Sequence, residues 1–281
     1  MSIATFIPTI WSARLLMHLD NALVAKNFFN TDYEGEITDA GNTVKINQIG
    51  NITISNYIRN TDMTPPEELN MVAQELLIDQ AKSFNFQIDD IDRVQANADL
   101  MNAAMERSGY SLAEVEDTFL FNRIATTIFT AAPGNYIPAT AIVTPDDAFA
   151  MLVQLRTLLT KANVPAMGRN LAAAPEFVSM LLKDDRFTGT GGTFAEGTLL
   201  AGSIGRAMGF NIFEVNTTPG NNTIIAGHAL GATRADQIVK TEAYRMEKRF
   251  ADGLKGLHVY GAKVTIPTAF AVAVANVGPA D

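Results

Sequence analysis

The chain has 281 residues, of which 47% are hydrophobic and 18% charged, a balance that supports a folded core rather than a disordered chain. A net charge of −9 excludes a broadly basic face for gripping nucleic-acid phosphates, leaving room only for a local basic patch. Cysteine is absent, which removes disulfides and thiolate metal sites. At this length folding buries roughly three quarters of the unfolded surface, so no staple is needed.

From the N-terminus, residues 1–20 show no basic leader, and Arg14 and His18 interrupt their apolar character. The apolar run Ala269–Ala275 is too short to span a bilayer. No membrane contact is expected, and the protein is expected to be made and used inside a cell. Ile10, Ala13, Leu16, Met17, Leu23, Val24 and Phe28 fall near helical spacing, which predicts a helix over 9–28 with Thr9 as its cap. A polar, acidic stretch from Asn30 to Asn42 follows and reads as an extended arm.

Strand signals come next. Val44 and Ile46 alternate with polar residues, and Ile52 and Ile54 do so again after Gly50. Pro65-Pro66 cannot continue a ladder and marks a loop tip. Leu76, Ile78, Phe84, Phe86 and Ile88 share one parity, which predicts a single long strand. Residues 41–89 therefore read as a long two-stranded excursion, and a lone hairpin is marginal in water. It is expected to lie on a neighbour.

Asp89, Asp90 and Asp92 open a long helix in which Ile91, Ala98, Met105, Leu112 and Phe119 recur every seventh residue, with Val94, Met101 and Val115 between them. The pattern runs to about Ile128. Ser108 and Asn122 on the seam argue against a coiled-coil dimer.

After Ala132-Pro133-Gly134, the run Thr144-Pro145-Asp146-Asp147 has the form of a capped helix start. Ala148, Met151, Leu152, Leu155, Leu158 and Leu159 form its stripe, and Asn163-Val164-Pro165 stops it. Leu171–Ala174 reads as a buried strand, Pro175–Leu182 as a helix and Gly189–Gly192 as a loop. Asn211–Val215, Thr223–Ala226, Lys240–Glu247 and Leu257–Ile266 read as strands. Phe270, Val272 and Val274 alternate near the end.

Motifs for chemistry are missing. His18, His228 and His258 are isolated and read as structural or surface histidines, so no metal site is expected. Gly202-Ser203-Ile204-Gly205 lacks the frame of a nucleophile elbow, and no phosphate loop or dinucleotide fingerprint exists. The Asp89, Asp90 and Asp92 trio lacks calcium-loop spacing and reads as helix capping. Glu67 and Glu68 read as a solvated loop face, Lys45 and Lys82 as surface charges. Catalytic, cofactor-binding and metal residues are all expected to be none, leaving an oligomeric α+β protein.

Four segments resemble a known family, the tailed-bacteriophage major capsid (coat) proteins of the Hong Kong 97-type fold. Phe6-Ile7-Pro8-Thr9-Ile10-Trp11-Ser12 is similar to the start of this coat-protein branch, and Gly41-Asn42-Thr43-Val44-Lys45-Ile46 to the opening of its extended loop. Phe84-Asn85-Phe86-Gln87-Ile88-Asp89-Asp90-Ile91-Asp92-Arg93 resembles the junction of loop and long helix. Lys255-Gly256-Leu257-His258-Val259-Tyr260-Gly261-Ala262-Lys263-Val264 resembles the closing strand. The four segments stand in the family's order.

The resemblance implies an α+β fold with an N-terminal arm over 1–40 and an extended β-hairpin loop over 41–89. A peripheral domain with a spine helix would cover 90–131, an axial domain with mixed sheet and helices 132–256, and a C-terminal strand region returning to the peripheral domain 257–281. It implies a non-enzymatic structural protein of the virion, assembled in the host bacterial cytoplasm. Identical subunits would form pentamers and hexamers and close an icosahedral capsid around double-stranded DNA without sequence-specific binding. A portal and a separate scaffolding protein are expected partners, since no scaffolding segment precedes the arm. Some relatives crosslink a loop lysine, a chemistry not assigned here to Lys45 or Lys82. Arg59, Asp62 and Glu67, near the loop tip, are the expected subunit-contact residues. The rival readings are an encapsulin-like bacterial nanocompartment shell and a soluble oligomeric enzyme.

Overall fold

The computed structural model describes residues 23–31, 43–49, 52–54, 56–60, 62, 65, 71–90, 100–188 and 205–278. Residues 9–22 of the expected first helix, residues 91–99 of the expected long helix and the Gly189–Gly192 loop lie outside the described residues. The described end of that expected segment forms a four-residue 3-10 turn, Ala25–Phe28. It is held against the long helix because Asp117 accepts the N–H groups of Val24 at 3.1 Å and Ala25 at 2.8 Å.

Chain order is β1 (Thr43–Ile49), β2 (Met71–Leu77), β3 (Gln80–Asp89), α1 (Leu100–Ala131), β4 (Tyr136–Ile142), α2 (Pro145–Lys161), β5 (Arg169–Ala173) and α3 (Pro175–Leu182). Then come α4 (Asp185–Thr188), β6 (Arg206–Ala207), β7 (Phe210–Glu214), β8 (Thr223–His228), β9 (Ala232–Arg245), β10 (Ala251–Val264) and β11 (Phe270–Val277). The strands form a β1–β2 ribbon, a three-stranded sheet in the order β3–β10–β9, and a six-stranded sheet in the order β4–β11–β8–β5–β7–β6.

The six-stranded sheet is packed on both faces. Phe270 and Val272 of β11 join a core with α1, while Ala271, Ala273 and Ala275 join a second core with α2 and α3. The expected alternation of Phe270, Val272 and Val274 is therefore real but not one-sided, since small alanines fill the other face. β4, which sequence periodicity did not predict, pairs in parallel with β11 at the sheet edge. Its Pro138 falls where the register shifts between Ala273 and Ala275, which is where an edge strand tolerates a residue with no N–H.

α2 begins as the sequence predicts. Thr144 and Asp147 make a reciprocal capping box with Pro145 in the first turn. It ends at a left-handed Asn163 with φ of 57°. There the Asn163 N–H donates to Thr160 O and the Val164 N–H to Leu159 O, both at 3.0 Å, the paired bonds of a Schellman termination. Arg169 is buried beside this end and donates to the carbonyls of Val164 and Pro165 at 2.7 and 2.9 Å.

α1 has 32 residues and so is about 48 Å long. Its buried stripe runs through Met105, Leu112, Glu116, Leu120, Ile124 and Ile128. It leaves the heptad positions predicted from sequence, because a straight helix of 3.6 residues per turn drifts about 20° per heptad. Phe119 is consequently only partly buried and Val115 is exposed.

The three-stranded sheet lies between α1 and the ribbon. β9 carries one extra residue where pairing passes from Leu257↔Lys240 to His258↔Ile238. This bulge reverses the parity of β9. Lys240 and Glu242 face away from α1, with Lys255 bonded to Glu242 across the strands at 2.8 Å, whereas Arg234 and Asp236 face α1.

Candidate assembly surface

β1 and β2 are antiparallel partners from Thr43↔Leu77 to Ile49↔Met71. The expected long strand over 76–88 is two strands. β2 pairs with β1, the chain breaks at Ile78-Asp79, and β3 pairs with β10. The alternation keeps its phase across the break, so period two alone did not reveal it. Ile52 and Ile54, predicted as strand, have no regular secondary structure, because the ladder's last pair is Ile49↔Met71 and nothing described lies opposite them.

The stem of the ribbon is anchored. Ile46, Leu76 and Ile78 bury against Ala235 and Val259 on the face of the three-stranded sheet away from α1. Gln74 donates to Thr265 O at 3.3 Å. The stem touches β10 at Gly261, where an added Cβ would meet Leu77 O at 2.2 Å. Only glycine permits this crossing, which fixes where the ribbon leaves the sheet.

Beyond the stem the cover ends. Ile52, Ile54, Tyr57 and Ile58 are 65%, 94%, 73% and 65% exposed. Four large apolar side chains exposed within seven residues are unusual on a free-standing surface. Burying the isoleucines would contribute about 1.5–3 kcal/mol each.

Of the predicted contact residues, Arg59 is exposed in a turn beside Asn60, whose φ is 63°, and Asp62 is exposed as well. Neither makes an ion pair with another described residue. Glu67 lies outside the described residues, as does Glu68. Of the other residues weighed from sequence, Asp90 accepts from Arg245 at 2.8 Å, and Arg245 also bonds Asp252 at 2.9 Å, an exposed cluster at one end of the three-stranded sheet. These bonds push the guanidinium pKa further up. His228 caps a turn by accepting from the Leu230 N–H at 3.1 Å, and His18 lies outside the described residues.

His258 departs from expectation. It is neither isolated nor at the surface. It is buried on β10, and its Nε2 is 3.8 Å from Glu116 and 3.7 Å from Asp236. These three are a group whose ligand atoms lie close enough to share an ion. Glu116 lies 120 and 142 residues from Asp236 and His258, which hides the group from any search for local spacing.

A groove of about 650 Å³ between β3 and α1 is lined by Phe84, Phe86, Leu112 and Val115, with Lys82 and Arg107 among its polar residues. Among the described residues, no carboxylate or histidine lines it.

The family model for phage capsid protein matches residues 73–273. A structure from Mycobacterium phage Che8 is 32% identical, with a TM-score of 0.72 over 89% of this chain and 90% of that one. The capsid of Cyanophage P-SCSP1u is 17% identical, with a TM-score of 0.70 over 86% and 85%. The virus-like particle from Pyrococcus furiosus is 13% identical, with a TM-score of 0.58 over 95% and 99%, a likeness of fold alone. Among curated proteins, none matches. The anchored stem, the bare tip and these matches agree, and the chain belongs to the phage capsid protein family, a major capsid protein with the Hong Kong 97-type fold.

Proposed function

We propose that the subunits assemble through pentamers and hexamers into an icosahedral shell that encloses double-stranded DNA, and that the chain catalyses no reaction. The observation that carries this reading is the ribbon, whose stem is fixed to the sheet and whose tip exposes Ile52, Ile54, Tyr57 and Ile58. A second copy is the occupant that closed symmetry supplies, since identical contacts must close or else grow into fibres. In this reading the extended loop of 41–89 rests its tip on the neighbouring subunit, and Arg59, Asp62 and Glu67 pair across that contact. Residues 1–40 serve as the arm, 90–131 and 257–281 as the peripheral domain, and 132–256 as the axial domain. The net charge of −9 suits a container that does not adhere to its DNA. A separate scaffolding protein and a portal complete the particle, which is built in the host bacterial cytoplasm.

Imaging of native particles, with their nucleic acid quantified, tests the reading. The expected result is closed shells with fivefold and sixfold capsomers, filled with double-stranded DNA and bearing a portal. Shells filled with cargo protein and lacking a portal would favour a nanocompartment instead, and a small soluble oligomer would refute assembly altogether.

A further inference from the structure

The three-stranded sheet leaves one long strand open. β3 stands at the edge of the order β3–β10–β9, and among the described residues no strand lies on its other side. Its pairing with β10 runs without a register shift from Gln80↔Tyr260 to Asp89↔Ala251, and it contains no proline. An open edge of about 33 Å is a template for another chain unless charges, proline or a bulge protect it. Within β3 only Lys82 and Asp89 are charged, both toward its ends.

The face of β3 toward α1 is apolar and only partly covered. Phe84 and Phe86 stack there, with ring centroids 6.1 Å apart and an interplanar angle of 20°. Phe84 lies across the bare backbone of Gly256, where an added Cβ would meet the ring at 2.3 Å. Leu112 and Val115 of α1 line the same groove, and Val115 is 44% exposed. Lys82 and Arg107 line it too, and neither makes an ion pair among the described residues.

The ribbon tip carries the complementary pattern. Ile52 and Ile54 share one parity, as Phe84 and Phe86 do, so both isoleucines of an added strand can fall on the side of the two rings. Residues 50–68 hold three carboxylates, Asp62, Glu67 and Glu68, against one cation, Arg59, opposite in sign to the charges of the groove. The chain's own tip is not the occupant. The stem sits on the sheet face away from α1, and the seven residues of β1 carry the tip about 20 Å from Thr43. Reaching its own groove would require the ribbon to leave that face.

We propose that the ribbon tip of one subunit adds as a fourth strand to the open edge of β3 in its neighbour, seating Ile52 and Ile54 against Phe84, Phe86, Leu112 and Val115. This docking rests on the assembly reading above and adds to it the surface that receives the tip. Backbone pairing supplies the attraction, and the groove selects side chains at alternate positions. Asp62 and Glu67 approach Lys82 and Arg107. The contact is heterologous, because the tip meets a different patch on the next copy, so it repeats head to tail and makes a ring where the rotation closes.

The chain has no cysteine, so two introduced thiols are the only ones present. Ile54→Cys and Ser111→Cys, combined in one chain, are treated with a short bis-maleimide in assembled particles and in free subunits. Cysteine keeps position 54 apolar, and Ser111 lines the groove. The expected result is a ladder of linked dimers and larger species from particles only. It should be lost in either single variant and when Ile54→Cys is combined with Thr157→Cys on α2. Closed particles that give no ladder, or the same ladder with Thr157→Cys, overturn the docking and leave assembly standing. A wild-type chain that forms no particles overturns the assembly reading, and the docking with it. Hydrogen exchange of the wild-type chain needs no variant. Amides of β3 should exchange more slowly in particles than in free subunits, while those of β8, enclosed in the six-stranded sheet, change little. Equal slowing of β3 and β8, or none in β3, overturns the docking.

Discussion

The six-stranded sheet and the β1–β2 ribbon draw on the same aliphatic residues, yet their burial is opposite. Along β11, Phe270 and Val272 meet α1 while Ala271, Ala273 and Ala275 meet the helices of the other face, so each residue finds cover within its own chain. Along the ribbon, Ile46, Leu76 and Ile78 are covered, but Ile52, Ile54 and Ile58 are not. Burial here follows from topology rather than from composition. A strand between two helical layers is enclosed by the fold, whereas a two-stranded ribbon has one layer beneath it at most. The sheet region finds its cover within the single chain, and in the proposed assembly the ribbon is completed by another subunit.

Variants can break that comparison. Phe270→Ala removes a fully buried ring from the core between the six-stranded sheet and α1, and we expect it to cost about 3–5 kcal/mol in denaturant unfolding. A loss near zero would mean that the sheet is not the stable unit. Gly261→Ala places a methyl group against the Leu77 carbonyl and should cost about 1–3 kcal/mol. It should also raise proteolytic cleavage within the ribbon while sparing the six-stranded sheet. Uniform sensitivity across the chain would show that ribbon and sheet are one cooperative unit. Arg59→Glu should leave subunit stability within about 0.5 kcal/mol, as expected at an exposed site. It should lower the temperature at which particles dissociate, and unchanged particles would remove Arg59 from the proposed contact.

What the sequence revealed follows the same division. α2 was legible because its cap, its stripe and its stop are all local, and α3 because Pro175 opens it just after a buried strand. The parity of Leu76 to Ile88 was also legible, but not the change of partner at Ile78-Asp79, since pairing is a property of two segments. β4 escaped notice because Tyr136 to Ile142 neither alternates nor avoids proline, its place being set by β11. The Glu116–Arg234–Asp236–His258 cluster was invisible for a related reason. The β9 bulge turns Arg234 and Asp236 toward α1, and no pattern in β9 alone announces it. The exposed apolar tip at 52–58 was not legible: Ile52 and Ile54 were expected in a strand and the contact was placed on Arg59, Asp62 and Glu67, because alternation in one segment does not say whether a partner strand lies opposite.

Particle formation by Ile54→Asp is the most direct test of dependence on a neighbour. Ile54 is 94% exposed in the single chain, so the substitution should leave the subunit's unfolding transition unchanged. Produced with the other structural proteins of its particle and examined by electron microscopy, the variant is expected to give folded subunits and few or no closed shells. Wild-type yields of normal shells would contradict the account, because the exposed tip would then have no partner to lose.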